Sequence, residues 1–389
     1  MAMLFKDQPP PISDTLRVPI PTLWASVSMM CQRCWRPPSS VMSAGSVDEI
    51  WIAPGPEMTR VMFLSGDVVV EIWHDFAAAP SRIGEVHQLK IDQVFAGQNR
   101  ATARLEDGTT VSLRLTPRDR PQPGQRITAT IIGAPRQDKP WQGVVGARLV
   151  GAHVVLLPGD QGLYASRALP DASFEPLSAS LAEKLPSGFG AILRRGVVGQ
   201  DAFVVADELM MLVQLWHDRM QANSRLHDGG TLAQKAALHA TGANMCIEGD
   251  ALPTEKFETA YASALDAATG ASVNLASGGR VWFEPTQALV AIDLDSGAGG
   301  LEALVREAPS MIAYQLRLRA LSGLIAIDVP RLSQGAAKTF TAALATALTT
   351  DPRQPEILGR TRGGVLECRI AHSRPSLDSQ RYFADRASG

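Results

Sequence analysis

TQALVAIDLDSG, residues 286–297, sets a buried-strand pattern against an aspartate and then a Ser-Gly turn, and LIAID, residues 324–328, repeats that logic downstream. Between them, residues 301–319 carry apolar positions at helical spacing and end in QLRLR. The unit reads as strand, helix, strand, with each strand finishing in an aspartate. Parallel pairing of the two strands brings Asp293 and Asp328 together at the carboxyl edge of one sheet. Asp295 projects from the same side as Asp293 if strand geometry persists for two more residues. Just upstream, Ser277-Gly278-Gly279 supplies a turn and Arg280 to Glu284 a neighbouring strand.

Carboxylates gathered at such an edge repel one another unless a hard cation neutralises them, and oxygen donors suit Mg2+ or Mn2+. A cation held there polarises a phosphodiester and activates water. The bland alternative is a pair of helix-capping or loop-solvating aspartates, because Asp is ordinary after a strand. Asp293 and Asp328 are therefore the expected metal ligands and catalytic residues, with Asp295 as a weaker third ligand.

The remaining chain is organised around this segment. With 45% hydrophobic and 20% charged residues, it has the balance of a globular protein of several domains. Every apolar run is broken before the roughly 20 residues that a membrane helix needs, so no spanning segment is expected. Four cysteines are too few for a disulfide framework and suit a reducing cytoplasm. A net charge of -2 neither requires nor excludes a nucleic-acid partner.

Residues 1–58 are rich in proline and are expected to form a disordered or loosely attached extension, with Met58 as a candidate start of the folded protein. Within it, Cys31 and Cys34 have the spacing of half a zinc site but no second pair follows, so inert thiols are the simpler reading. Residues 59–132 show short strand-like runs punctuated by SGD, EDG and PQPG, the density of a five-stranded OB-type barrel. Phe95 is its best candidate for stacking on a base, set against an ordinary core role. Residues 133–224 continue with two apolar strands joined across Gly151, a strand ending in Arg194 and Arg195, and a helix with a core stripe. The two arginines suit a phosphate, or are simply solvated.

Arg317 and Arg319 stand near the end of the helix at 301–319, where the dipole favours cations. Arg360 and Arg362 lie where they would meet phosphates, and His372 has only a poor claim to catalysis.

Taken together, these segments resemble the ribonuclease E/G family. The resemblance rests on TQALVAIDLDSG (286–297), IAYQLRLRALSGLIAID (312–328) and RTRGGVLE (360–367) with RPSL (374–377). QGVVGARLVGAHVVLLPG (142–159) and LPSGFGAILRRGVVG (185–199) carry it more faintly. It implies a mixed α/β, multidomain α+β chain. First strands with an OB-like barrel of the ribosomal-protein-S1 type (59–132) and a 5′-sensor-like region (133–224) come first. A shortened RNase-H-like region (225–275), a DNase-I-like catalytic domain (276–380) and a tail (381–389) follow.

It also implies a metal-dependent endoribonuclease that cuts single-stranded, often AU-rich RNA and leaves 5′-phosphate and 3′-hydroxyl ends, in rRNA or mRNA processing. The family's metal-binding aspartates correspond to Asp293 and Asp328, its intervening Asn to Asp295, and the arginine beside the active centre to Arg362. Its Arg-Thr sensor pair becomes Arg194-Arg195, so the threonine hydroxyl is lost. Val111-Ser112-Leu113 and Ala103 stand where the barrel should offer phenylalanines, and the loop after Asp295 is shortened. No counterpart of the family's Cys-x-x-Cys zinc link follows the catalytic region, so a monomer or a homodimer without that link is expected.

The expected function is thus an Mg2+-dependent (or Mn2+-dependent) endoribonuclease, with Asp293, Asp328 and Arg362 catalytic and Phe95, Arg194, Arg195, Arg317, Arg319 and Arg360 binding RNA. Two alternatives stay open: a catalytically weak or inactive RNA-binding homologue, and an unrelated metal-dependent phosphoesterase acting on small nucleotides. The latter would need a closed pocket beside Asp293.

Overall fold

The computed structural model describes residues 47–380 apart from 79, 136–138, 167–168, 219–223, 373 and 378–379. Cys31, Cys34 and the tail at 381–389 lie outside the described residues. The described residues build four sheets.

The first sheet contains β1 (Glu49–Ala53), β2 (Met58–Ser65) and β3 (Val68–Phe76), in an antiparallel meander. β1 corrects the reading that residues up to 58 are loosely attached: Ile50, Trp51 and Ile52 are buried. Its outer neighbour, β14 (Asn244–Ile247), arrives from far down the chain and pairs parallel with β1. Strands β2 and β3 therefore belong to this sheet and not to the barrel.

The barrel consists of β4 (Glu85–Phe95), β5 (Arg100–Arg104), β6 (Thr110–Arg114), β7 (Arg126–Gly133) and β8 (Trp141–Val145). Pairing of β4 with β7 closes it. Alternation puts Leu89, Ile91, Ala101, Ala103, Val111, Leu113, Ala129 and Ile131 inside. The fifth strand, β8, inserted between β6 and β7, lies past residue 132, so the barrel runs further than the strand count from sequence placed it. A further strand, β13 (Arg225–Asp228), extends its edge.

The third sheet holds β9 (Leu149–Val150), β10 (Val154–Pro158), β11 (Gly162–Ala165) and β12 (Phe189–Leu193), covered by α1 (Asp171–Ala182) and α2 (Ala202–His217). The stripe Val205, Leu209, Leu212, Val213 of α2 packs on Val154, Leu156, Ala191 and Leu193. Glu208 of α2 is fully buried but satisfied: its carboxylate accepts from His153 N, Val154 N, His153 Nδ1 and Thr241 Oγ1 at 2.7–2.8 Å. A Cβ at Gly151 would lie 2.2 Å from the Glu208 carboxylate, so only glycine fits the bend between β9 and β10.

After α3 (Leu232–His239), β14 and α4 (Thr254–Thr269), the chain enters the fourth sheet. It comprises β15 (Ser272–Asn274), β16 (Arg280–Pro285), β17 (Val290–Asp295), β18 (Gly323–Asp328), β19 (Glu356–Arg360) and β20 (Leu366–Ile370), in the order β15-β16-β17-β18-β20-β19. The helix α5 (Gly300–Leu318) carries the chain from β17 to β18, and α6 (Gln334–Leu348) packs against α5. Among the described residues, no helix is long and apolar enough to cross a membrane.

Buried charge ties the first sheet to the fourth. Glu71 of β3 accepts from Trp73 Nε1 at 2.6 Å, His239 Nε2 at 2.9 Å and Arg317 Nε at 3.1 Å. Burial alone would raise the Glu71 carboxyl, but His239 and then Arg317 and Arg353 outweigh it and hold it well below the usual carboxylate range. Arg374 lies over the Trp73 ring at 3.2 Å, and its burial lowers it to about 10.

Nearby, the His74 ring bonds Gln380 Oε1 at 2.8 Å and the Tyr261 hydroxyl at 2.7 Å, one donor and one acceptor, which suits the neutral imidazole. Burial, helped by the charge of Arg60 and opposed by the Gln380 bond, lowers it from 6.5 to about 4. Below pH 6.5 the unfolded chain takes up a proton that the folded protein refuses. Stability present above that pH is therefore lost as the pH falls toward 4. Between pH 7 and pH 4, wild type should lose on the order of 3 kcal/mol more than His74→Gln, measured by denaturant unfolding at each pH.

Candidate active site

Strands β17 and β18 pair in parallel with Asp293 opposite Asp328. Along β17, Val290, Ile292 and Leu294 face the core, which leaves Ala291, Asp293 and Asp295 on the other face. In β18, Ile325 and Ile327 are buried and Asp328 is exposed. Adjacent strands lie roughly 4.8 Å apart, so the two carboxylates stand side by side at the end where both strands finish.

The same face extends sideways through the register. Antiparallel β16 places Trp282 opposite Asp293, Arg280 opposite Asp295 and Glu284 opposite Ala291. On the far side, Glu367 and Arg369 of β20 lie opposite Ala326 and Leu324. Arg280, Glu284, Asp293, Asp295, Asp328 and Arg369 are all exposed, so this side of the sheet is open to solvent.

Asp295 accepts from Gly297 N at 3.0 Å, which turns the chain out of β17. Gly297 has φ +48°, and a Cβ there would lie 2.3 Å from Gly278 O, so the loop after Asp295 closes directly onto the 277–279 turn. Glu307 of α5 accepts from Ser277 N at 3.0 Å and fixes that turn from the helix side.

Among the described residues, no group of three or more His, Cys, Asp or Glu side chains is placed to hold a metal ion. The donor set that does converge is the Asp293–Asp328 pair. Two exposed carboxylates fit Mg2+, which keeps several of its waters and is commonly bound through one or two carboxylates plus the phosphate of its substrate. A dedicated all-protein cage is not part of that pattern.

The candidate arginines fall into two groups. Arg360 ends β19, and Arg362 lies in the turn to β20 that Thr361 N→Val365 O and Gly364 N→Thr361 O close. Ile327 pairs with Leu366, so this turn sits at the Asp328 end of the sheet, and both arginines are exposed. Arg195 is exposed as well.

Arg317 and Arg319, in contrast, are only 5% and 8% exposed. The first bonds Glu71 and Thr350 O. The second bonds Gln315 Oε1 and Gly270 O and lies over the Phe283 ring. Their donors are committed inside the protein, which corrects the expectation that they face RNA. Arg194 is likewise engaged, donating to Gly151 O at 2.6 Å and to Pro352 O at 3.3 Å, and burial lowers its pKa. Phe95 is half-buried at the end of β4, where it pairs with Arg100.

His372 bonds Ser322 Oγ at 2.6 Å beside the first residue of β18, at the strand end opposite to Asp328. On the barrel surface, Lys90 lies between Arg104 and Arg126 on adjacent strands, lining a cavity of about 440 Å3 that Asp92 and Glu106 share.

Two features were passed over in the sequence. Glu71 reads as one polar residue in an apolar run, and nothing local reveals its partners at positions 239 and 317. Trp282 did carry a signal, since it is an aromatic in the same phase as Arg280 and Glu284.

Residues 253–371, which contain the aspartate pair, its crossover helix and the Arg362 turn, match the Ribonuclease E/G family. This chain is a divergent relative of that family. Ribonuclease E of Nostoc sp. is 25% identical over 310 residues, covering 68% of this chain and 45% of that protein. Ribonuclease E of Escherichia coli K12 is 26% identical over 316 residues, covering 68% of this chain and 30% of its own length. Ribonuclease G of the same organism is 22% identical over 395 residues, covering 85% and 81% respectively. The chain thus spans less than half of either ribonuclease E, and its match to the family model runs from the start of α4 to the end of β20.

The two groups of arginines should separate in a stability assay. Arg317→Ala removes a partner from buried Glu71 and should cost about 3 kcal/mol in denaturant unfolding. Arg362→Ala, at an exposed turn, should stay within about 0.5 kcal/mol of wild type.

Proposed function

We propose that this chain is a metal-dependent endoribonuclease that hydrolyses phosphodiester bonds in single-stranded RNA and leaves 5′-phosphate and 3′-hydroxyl ends. The observation that carries the reading is the in-register pair Asp293 and Asp328, exposed side by side on adjacent parallel strands within the segment related to ribonuclease E/G. A divalent cation bound there would supply Lewis-acid polarisation of the phosphate and activation of water.

The chain's own residues do the rest. Asp293 and Asp328 hold the cation as negatively charged oxygen donors. Asp295 lies on the same face but spends one oxygen on Gly297 N, so its part is to shape the loop and add negative potential. Arg362, on the turn at the Asp328 end, meets the phosphate and balances the charge that develops during hydrolysis. Arg360 and Arg195 add exposed positive charge for the RNA backbone, as do Lys90, Arg104 and Arg126 on the barrel.

The open face favours a polymer over a small nucleotide, because a small ligand needs a concave site to bury most of its surface. Weak barrel stacking is the cost: with alanine at 103 and Val111-Ser112-Leu113 in the next strand, the barrel contributes charge more than aromatic surface.

The test is incubation of the purified full chain with a 5′-monophosphorylated, AU-rich, single-stranded RNA, with and without Mg2+, followed by analysis of the product ends. Cleavage that requires Mg2+ or Mn2+, leaves 5′-phosphates, and falls at least ~1000-fold in a folded Asp293→Asn, Asp328→Asn protein is expected. A folded wild type that cleaves none of several such RNAs with either metal overturns the reading in favour of a non-catalytic RNA-binding protein.

A further inference from the structure

From the same sheet face we infer that Trp282 is a stacking platform for the nucleobase next to the scissile phosphate. The inference rests on the endoribonuclease reading and adds to it a specificity-determining residue.

Trp282, Asp293 and Asp328 form one row across three neighbouring strands, through the register pairs Trp282↔Asp293 and Asp293↔Asp328. With strands roughly 4.8 Å apart, the indole stands one strand spacing from the nearer aspartate and two from the farther. A phosphate resting on the aspartate pair therefore has its own nucleotide within reach of the ring.

The surroundings suit that role better than a packing role. Trp282 is only partly buried, whereas Val281 and Phe283 on the opposite face are 0% and 2% exposed and supply the core of this strand. On one side of the ring the row continues into the exposed Asp293 and Asp328 and on the other into the small Ser272, and Ala291 and Ala326, the residues preceding the aspartates on this face, are small enough to leave room above the sheet.

Arg280 holds the ring from one side. Its guanidinium lies 5.5 Å from the indole centroid, and its Nε donates to Asn274 Oδ1 at 3.1 Å. An aromatic surface flanked by a fixed cation is the combination that single-stranded nucleic acid recognises, base on ring and phosphate on charge. A base locked in a duplex cannot present its face in this way, so Trp282 selects for an unpaired nucleotide at the cut.

The experiment has two arms. In the first, the cleaved bond in a 5′-monophosphorylated single-stranded RNA is mapped, and matched RNAs are made with one abasic nucleotide on either side of it. Wild type, Trp282→Leu and Trp282→Phe are then compared in Mg2+. Trp282→Leu should lower kcat/KM on the intact RNA about tenfold. It should have little effect on the RNA whose flanking base is already missing, and Trp282→Phe should recover most of the loss. In the second arm, the full-length protein is irradiated with a 5-bromouridine-substituted RNA in EDTA, where cleavage plays no part, and the crosslinked peptide is sequenced. A crosslink at Trp282 is expected.

Cleavage with equal loss on intact and abasic RNA, and no crosslink at Trp282, overturns the platform while the nuclease stands. A crosslink at Trp282 without cleavage by the wild type sinks the nuclease reading and keeps the platform as an RNA-binding element. Absence of both overturns both.

Discussion

The parallel pairing of β17 with β18 is the constraint on which the candidate site depends. Two aspartates far apart in the chain become neighbours only because the crossover through α5 returns the second strand in the direction of the first, with Asp328 falling opposite Asp293. A slip of one residue in β18 would turn Ile325 and Ile327 outward and bury the Asp328 carboxylate beside Ile292 and Leu294. The alternating burial of both strands therefore fixes the site as firmly as it fixes the core. In open α/β sheets the carboxyl ends of parallel strands are where ligands bind, and both aspartates stand there.

The crossover is anchored in turn by buried charge. Arg353 donates to Leu316 O and Leu321 O at the end of α5 and is paired with Asp351, so the helix terminus that leads into β18 has its carbonyls satisfied. On the same last turn, Arg317 reaches Glu71 in the first sheet. Arg60 repeats the pattern on another side, bridging β2 to Glu258 of α4 and lying over Phe257 and Tyr261. Removing one member of the buried pairs Arg317–Glu71 or Arg353–Asp351 leaves the other uncompensated, so these residues constrain the placement of the fourth sheet.

What could be read from the sequence was whatever depends on local period and direction. The strand-helix-strand unit, the two terminal aspartates and the strand density of the barrel all show in residues that are near one another. Long-range pairing did not show. β14 joins β1 across more than half of the described chain, β8 enters the barrel between β6 and β7, and the first strand is followed directly by prolines at 54 and 56. The arginines of QLRLR fit the rule that cations favour a helix C-terminus, yet the same property lets them serve as internal struts once acceptors such as Glu71 and Gly270 O surround them. Polarity alone could not separate Arg317 from Arg362, because their difference lies in what packs around them.

The most direct test of the account is whether Asp293 and Asp328 hold a divalent cation together. Mn2+ titration of the full-length protein, followed by electron paramagnetic resonance of the free ion, should reveal one site in wild type, with affinity rising when single-stranded RNA is added. Asp293→Asn, Asp328→Asn protein, shown to be folded by circular dichroism, should lose that site. Equal Mn2+ uptake by wild type and the double variant would contradict the central claim and place the metal, and with it the chemistry, elsewhere.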